Sequence, residues 1–218
     1  MHPVPLLSCL FALLMQAPPV QAAEAGMEET LAAYAQDDWP RAAQGFERLA
    51  RRGIPLAQYN LAMMHLRGEL PHASAGRARQ WLEKAAAGGL VRAELALGQF
   101  HENGAAGRPD LAQAQAWYLR AARHGSADAQ VAAATAYYLG RGAPRNPAQA
   151  AHWYLEAARS GDVGAQYLIA SMYESGLGVE RDLRLARYWY EQAARNGDEA
   201  APYKLKELAE APAPTAPP

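Results

Sequence analysis

The chain has 218 residues, 51 of them alanine, a single cysteine, and a formal net charge of −1 from 21 basic and 22 acidic side chains. So even a balance excludes the strong field by which a protein gathers nucleic acid or anionic lipid, and one cysteine excludes a disulfide framework or a multi-cysteine metal site. Alanine at this level, with few β-branched residues, favours helix over sheet.

Leu6 to Met15 is an almost unbroken apolar run. It is too short to span a bilayer, which takes roughly 20 residues. Ala17-Pro18-Pro19 and then Val20-Gln21-Ala22-Ala23 follow, with small residues that suit cleavage after Ala22. Residues 1–22 are therefore expected to be a secretory signal peptide. Met1 to Pro5 lacks Lys and Arg, and the competing reading is a buried or interfacial N-terminal helix. Cys9 stands inside the apolar run rather than after it, which argues against a lipidated cysteine. A mature chain from Ala23 has no cysteine and is indifferent to the redox state of an exported compartment. It is expected in the periplasm or outside the cell, with no integral membrane segment once the leader is removed.

Residues 23–53 read as a short helical hairpin, with one helix over Glu28 to Ala35, a tight link near Gln36-Asp37-Asp38-Trp39, and a second helix over Pro40 to Arg52. From there a period of 36 governs the chain. Gly53, Gly89, Gly125, Gly161 and Gly197 are 36 apart; so are Ala57, Ala93, Ala129, Ala165 and Ala201. Trp81, Trp117, Trp153 and Trp189 keep the interval, as do Gly68, Gly104, Gly140 and Gly176, and the pairs from Ala85-Ala86 to Ala193-Ala194. Such self-similarity marks stacked supersecondary units.

Each unit, over 54–89, 90–125, 126–161 and 162–197, reads as two helices. In the first unit Ala57, Leu61, Met64 and His65 fall on one helical face, and Gly68 stands where a helix end needs positive φ. Ser74, Asp110, Asn146 and Asp182 are placed to cap the second helices, and Ser126, Asp162 and Asp198 the first helices that follow. The alanines allow close helix crossing and the tryptophans fill the space left, so the tryptophan series is expected in the core. Ala200 to Glu210 repeats a first helix alone and would cap the stack. The tail 211–218 is Pro-Ala rich and is expected to be extended or disordered.

The run Ala165-Gln166-Tyr167-Leu168-Ile169-Ala170-Ser171-Met172-Tyr173-Glu174-Ser175-Gly176-Leu177-Gly178-Val179, continued by Asp182-Leu183-Arg184-Leu185-Ala186-Arg187-Tyr188-Trp189-Tyr190-Glu191-Gln192-Ala193-Ala194, resembles a Sel1-like repeat. Four such repeats would occupy 54–199, and the shorter unit 23–53 is closer to a tetratricopeptide hairpin. The Gly-x-Gly-Val loop is intact only in the last repeat. It reads Gly140-Arg141-Gly142-Ala143 in the third, Gly104-Ala105-Ala106-Gly107 in the second and Gly68-Glu69-Leu70-Pro71 in the first. The resemblance implies an all-α, right-handed α-solenoid of stacked hairpins that binds a protein or peptide rather than transforming it.

Chemistry is sparse. A cysteine-rich subgroup of the family is associated with β-lactam binding, but its disulfides have no counterpart here. No serine begins a Ser-x-x-Lys, and no nucleophile elbow, phosphate loop or His-Glu-x-x-His is present. His65 and His101 hold equivalent positions, where a two-histidine metal site is conceivable; Tyr137 and Tyr173 hold the same position in later repeats, which points to packing. No catalytic residue, metal site or cofactor is expected. A hydrolase connected with β-lactams or the cell wall remains the alternative, as does a structural spacer in an envelope assembly.

In hairpin solenoids the first helices line the concave face. The expected partner strip is Tyr59, Met63 and Leu66; Leu95, Gln99 and Glu102; Val131, Thr135 and Tyr138; Tyr167, Ser171 and Glu174. Its acids would suit a basic segment. The competing reading is that Tyr59, Leu95 and Tyr167 finish the core and only the polar members are exposed.

Overall fold

The computed structural model describes residues 19–210. The apolar run and Cys9 of the expected leader, and the tail 211–218, lie outside them. Eleven α-helices follow one another among the described residues: α1 (Pro19–Ala35), α2 (Trp39–Arg51), α3 (Pro55–Arg67), α4 (Ala75–Ala87), α5 (Val91–Glu102), α6 (Leu111–Arg123), α7 (Ala127–Leu139), α8 (Pro147–Arg159), α9 (Val163–Ser175), α10 (Leu183–Arg195) and α11 (Ala201–Glu210). Each helix packs chiefly on its predecessor and its successor in the chain, which is the contact pattern of an all-α solenoid. One expected boundary moves: α1 starts at Pro19, well before Glu28, and runs through the Ala22–Ala23 position.

The repeat boundaries are set by caps. Ser74, Asp110, Asn146 and Asp182 accept hydrogen bonds from the amides of Arg77, Gln113, Gln149 and Leu185 at the starts of α4, α6, α8 and α10. Ser126, Asp162 and Asp198 do the same for Ala129, Ala165 and Ala201. These bonds serve free amides that a helix start cannot satisfy internally. Gly68, Gly140 and Gly176 end α3, α7 and α9 in the left-handed region. In the second repeat Asn103, with helical φ and ψ, is the cap, and Gly104 takes the positive φ beyond it.

The loops between paired helices differ in a way that matters below. In repeats two to four the amides of Asp110, Asn146 and Asp182 donate to the carbonyls of His101, Tyr137 and Tyr173, at 2.9, 2.8 and 3.0 Å. In the last two repeats the second glycine of Gly-x-Gly lies against the preceding unit. A Cβ on Gly142 would strike the carbonyl of Leu111, and one on Gly178 that of Pro147. The first repeat has neither device. Leu70 stands at the position of Gly142 and Gly178, and the loop closes locally, Ala73 donating to Leu70 at 3.1 Å.

The core corrects the tryptophan expectation. Trp153 and Trp189 are buried, but Trp81 and Trp117 are only half-buried. The deepest large side chain of each second helix is the next residue: Leu82, Tyr118, Tyr154 and Tyr190 are exposed by 4% or less. Trp81 and Trp117 instead lie at the rim, where Lys84 and Arg120 stack over their rings at 4.3 and 5.3 Å. A cation over an indole face is favourable and tolerates water nearby.

A buried polar position recurs in the first helices. Gln58, Gln130 and Gln166 each donate a side-chain N–H to the last turn of the preceding second helix, at Ala50, Ala122 and Ala158, over 3.1 to 3.2 Å. The second repeat has Glu94 there, with its side chain 1% exposed. A carboxylate cannot donate, and Arg120 supplies the missing donor, its Nη2 reaching the carbonyl of Ala86 at 3.5 Å. The same guanidinium holds Glu94 Oε1 at 2.6 Å, and His124 Nδ1 lies 2.7 Å from Oε2. A buried charge is tolerated only when so paired.

Candidate functional site

The twelve strip positions share the side of α3, α5, α7 and α9 turned away from the buried alanines and glutamines, and none of them is buried. They are not equivalent in freedom. Leu95, Val131 and Tyr167 pack against one core cluster, and Tyr59 and Leu66 against another. Tyr167 lies edge-on to Tyr190 at 5.2 Å between centroids, and Arg92 stands 5.9 Å over Tyr59. Met63 and Ser171 are half-buried, while Gln99 and Tyr138 are exposed.

The acids of the strip already have partners. From α6 the Tyr118 hydroxyl donates to Glu102 at 2.6 Å, and from α10 the Tyr190 hydroxyl donates to Glu174 at 2.7 Å. Burial first, and the carboxylate second, push both phenols far above their ordinary pKa. In the third repeat Tyr138 replaces the acid, and the Tyr154 hydroxyl shares a hydrogen bond with Thr135 at 2.9 Å instead. The following unit then adds a cation: Arg141 Nη2 lies 3.6 Å from Glu102, and Lys204 Nζ 3.8 Å from Glu174. The tyrosine hydroxyls, absent from the expected strip, thus reach it from the second helices. Their signal in the sequence is the aromatic residue following each tryptophan from Trp117 onward.

The exposed members of the strip are Gln99 and Tyr138, and further apolar surface lies beside it. Tyr138 and Leu139 on α7 and Leu168 on α9 are exposed. Leu139 and Leu168 fall one position outside the expected set. A small cavity of about 150 Å³ opens beside Glu102, Tyr118, Thr135 and Arg141, too small for more than a side-chain tip. The serines serve local structure: Ser74 and Ser126 cap helices, Ser160 and Ser175 donate to carbonyls one turn back, and Ser171 neighbours the Tyr190 hydroxyl. His101 sits edge-on to Phe100 at 5.6 Å. Among the described residues no group of three or more His, Cys, Asp and Glu is placed to hold a metal ion, and no helix is long and apolar enough to cross a membrane.

Comparison with known proteins bears on this architecture. A comparison with curated proteins returned no match. Among solved structures, c5321 of uropathogenic Escherichia coli, described as a protective antigen displaying an SLR fold, superposes with a TM-score of 0.79 at 27% identity, over 88% of this chain and 42% of that one. A Sel1 repeat protein from Oxalobacter formigenes gives 0.69 at 36% identity, over 77% and 49%. A sel1 repeat protein from Klebsiella pneumoniae gives 0.50 at 24%, over 87% and 97%. The chain spans less than half the length of the first two. The Sel1 repeat model matches residues 55–90, 91–126, 127–162 and 163–198, each one residue later than the period counted from the glycines. With more than half of its length in those four units, the chain belongs to the Sel1 repeat family.

Proposed function

We propose that this protein is an exported, non-enzymatic scaffold that holds a protein or peptide segment along the strip formed by its first helices. The observation that carries this reading is the exposure of Tyr138, Leu139 and Leu168 on adjacent first helices. Clustered exposed apolar side chains mark interaction surfaces, and tyrosine is enriched among the residues that dominate interface energies. Glu102 and Glu174 are tied to Tyr118 and Tyr190 and approached by Arg141 and Lys204. The segment bound is therefore apolar in its contacting side chains rather than basic. Export rests on the apolar run before Ala22 and the small residues that end it.

The test is retention of envelope proteins by the chain from Ala23, compared with a folded Tyr138→Ala, Leu139→Ala, Leu168→Ala variant. Tyr59 and Tyr167 are unsuitable for this purpose because they also close the core. A partner kept by the parent and lost by the variant supports the strip; equal retention moves the site to the chain ends and favours the spacer, for which the 74% exposure of Tyr203 on α11 provides a contact. Mass spectrometry of the protein recovered from cells tests export, with a mature N-terminus at Ala23 expected and an intact Met1 opposing it.

A further inference from the structure

The first repeat contains a cavity that the strip does not touch. It measures about 470 Å³ and lies among α2, α3, α4 and the loop between α3 and α4. Its origin is the loop described above. With Leu70 at the docking position of the later glycines, and no bond from Ser74 back to His65, the loop cannot take the seat used in the later repeats. Leu61, Leu70 and Trp81 give the cavity apolar walls. Arg77 and Lys84, two turns apart on α4, border it. Neither is within ion-pair distance of a carboxylate among the described residues. The acid present, Glu47, is held by Arg51 at 2.6 Å. His65 also lines the cavity; it is 8% exposed, and its Nδ1 has no hydrogen-bond partner.

Buried polar atoms are nearly always paired, and pockets of this size with apolar walls and a few convergent polar groups are the usual form of small-ligand sites. We infer that the cavity binds a carboxylate carried on an apolar body, either a free organic acid or the carboxy terminus of a peptide ending in an apolar residue. The carboxylate lies between Arg77 and Lys84, and the body lies against Trp81, Leu61 and Leu70 with His65 at the inner wall. Burial and the charge of Arg77 disfavour protonation of His65, so the imidazole stands as a neutral part of the inner wall and the two exposed cations carry the charge recognition. This site is independent of the strip: none of the twelve strip residues lines it.

The test uses the full chain and three probes: 4-phenylbutyrate, acetyl-Leu-Phe with a free carboxylate, and acetyl-Leu-Phe amide. Binding is read from the indole N–H resonance of Trp81, with the other four tryptophans as controls. At least one acid is expected to shift Trp81 saturably while the amide does not. Arg77→Ala with Lys84→Ala, and separately His65→Phe, are each expected to weaken binding by about tenfold or more. Circular dichroism confirms that both variants fold. Tighter binding of phenylbutyrate assigns the source to a free acid, and tighter binding of the peptide to a chain terminus. The inference is overturned if acid and amide bind alike, if either variant binds like the parent, or if neither acid saturates by about 10 mM.

Discussion

At the scale of single residues, Glu94 is the clearest departure from repetition. Its replacement of a glutamine is compensated by Arg120, which both neutralises the carboxylate and takes over the bond to Ala86. Removing half-exposed Arg120 leaves buried Glu94 with His124 alone, so Arg120→Ala is expected to cost about 1–3 kcal/mol in chemical denaturation. Adding Glu94→Gln should recover most of that loss, because the amide regains the donor used by Gln58, Gln130 and Gln166. No recovery would show that Arg120 acts through its stacking on Trp117. The tryptophans differ in the same test: Trp153→Ala should cost about 3–5 kcal/mol, and Trp117→Ala clearly less. His65 contributes a pH dependence. Its folded pKa lies below the ordinary 6.5, so the unfolded chain takes up the proton first as pH falls. Stability present above about pH 6.5 is then lost on acidification. The loss between pH 7.5 and 5 should be smaller in His65→Phe than in the parent, a comparison in which the other histidines cancel.

At the scale of elements, the glycines divide into two kinds. Gly161 has φ of 94° with open space where a Cβ would stand, whereas Gly178, at 76°, faces backbone of the preceding hairpin. Gly161→Ala therefore meets only the left-handed penalty of about 1–2 kcal/mol. Gly178→Ala meets that penalty and displaces the loop from Pro147, and should cost at least about twice as much in urea denaturation. The hairpins themselves were legible from the spacing of Gly, Ala and Trp, because caps and crossing points need particular residue types at fixed intervals. The seat of Gly178 was not, since contact between backbones of different units leaves no mark beyond the glycine. Nor could spacing decide between Trp and the following Tyr as the deep residue: a step of one position turns about 100° around the helix, and either ring suits a core. On the strip Glu102 and Glu174 are visible as acids in the sequence, but their ties to Tyr118 and Tyr190 depend on how the two helices of a hairpin are rotated. The exchange of Glu94 for glutamine was visible in the 36-residue register; its meaning required Arg120 to be seen beside it.

For the molecule as a whole, contacts concentrated between consecutive helices make stability close to a sum of unit and interface terms. The buried apolar residues form three clusters, one from Ala33 to Met64, one from Ala62 to Leu97 and a larger one from Ala114 to Ala201. The break between the second and third falls within the α5–α6 hairpin, where Glu94, Arg120 and His124 meet. Unfolding is therefore expected in more than one step, with the amides of α7 to α10 the slowest to exchange and those of α1 and α2 among the fastest. A single cooperative transition with uniform protection would show that the polar junction transmits stability as well as an apolar one.

That junction also fixes the order of the units. Hairpins built on a common period look interchangeable, yet the first helix carrying Glu94 accepts few second helices of this chain. Joined to α8 it would set Glu94 against Glu156, and joined to α10 against Gln192, since these hold the place of Arg120. Only α2, with Arg48, and α4, with Lys84, would offer a cation. Duplication and shuffling, the moves by which repeat arrays grow and are redesigned, are thereby restricted at one point of this array. A cut that separates α5 from α6 breaks a matched pair, whereas a cut between whole hairpins leaves it intact.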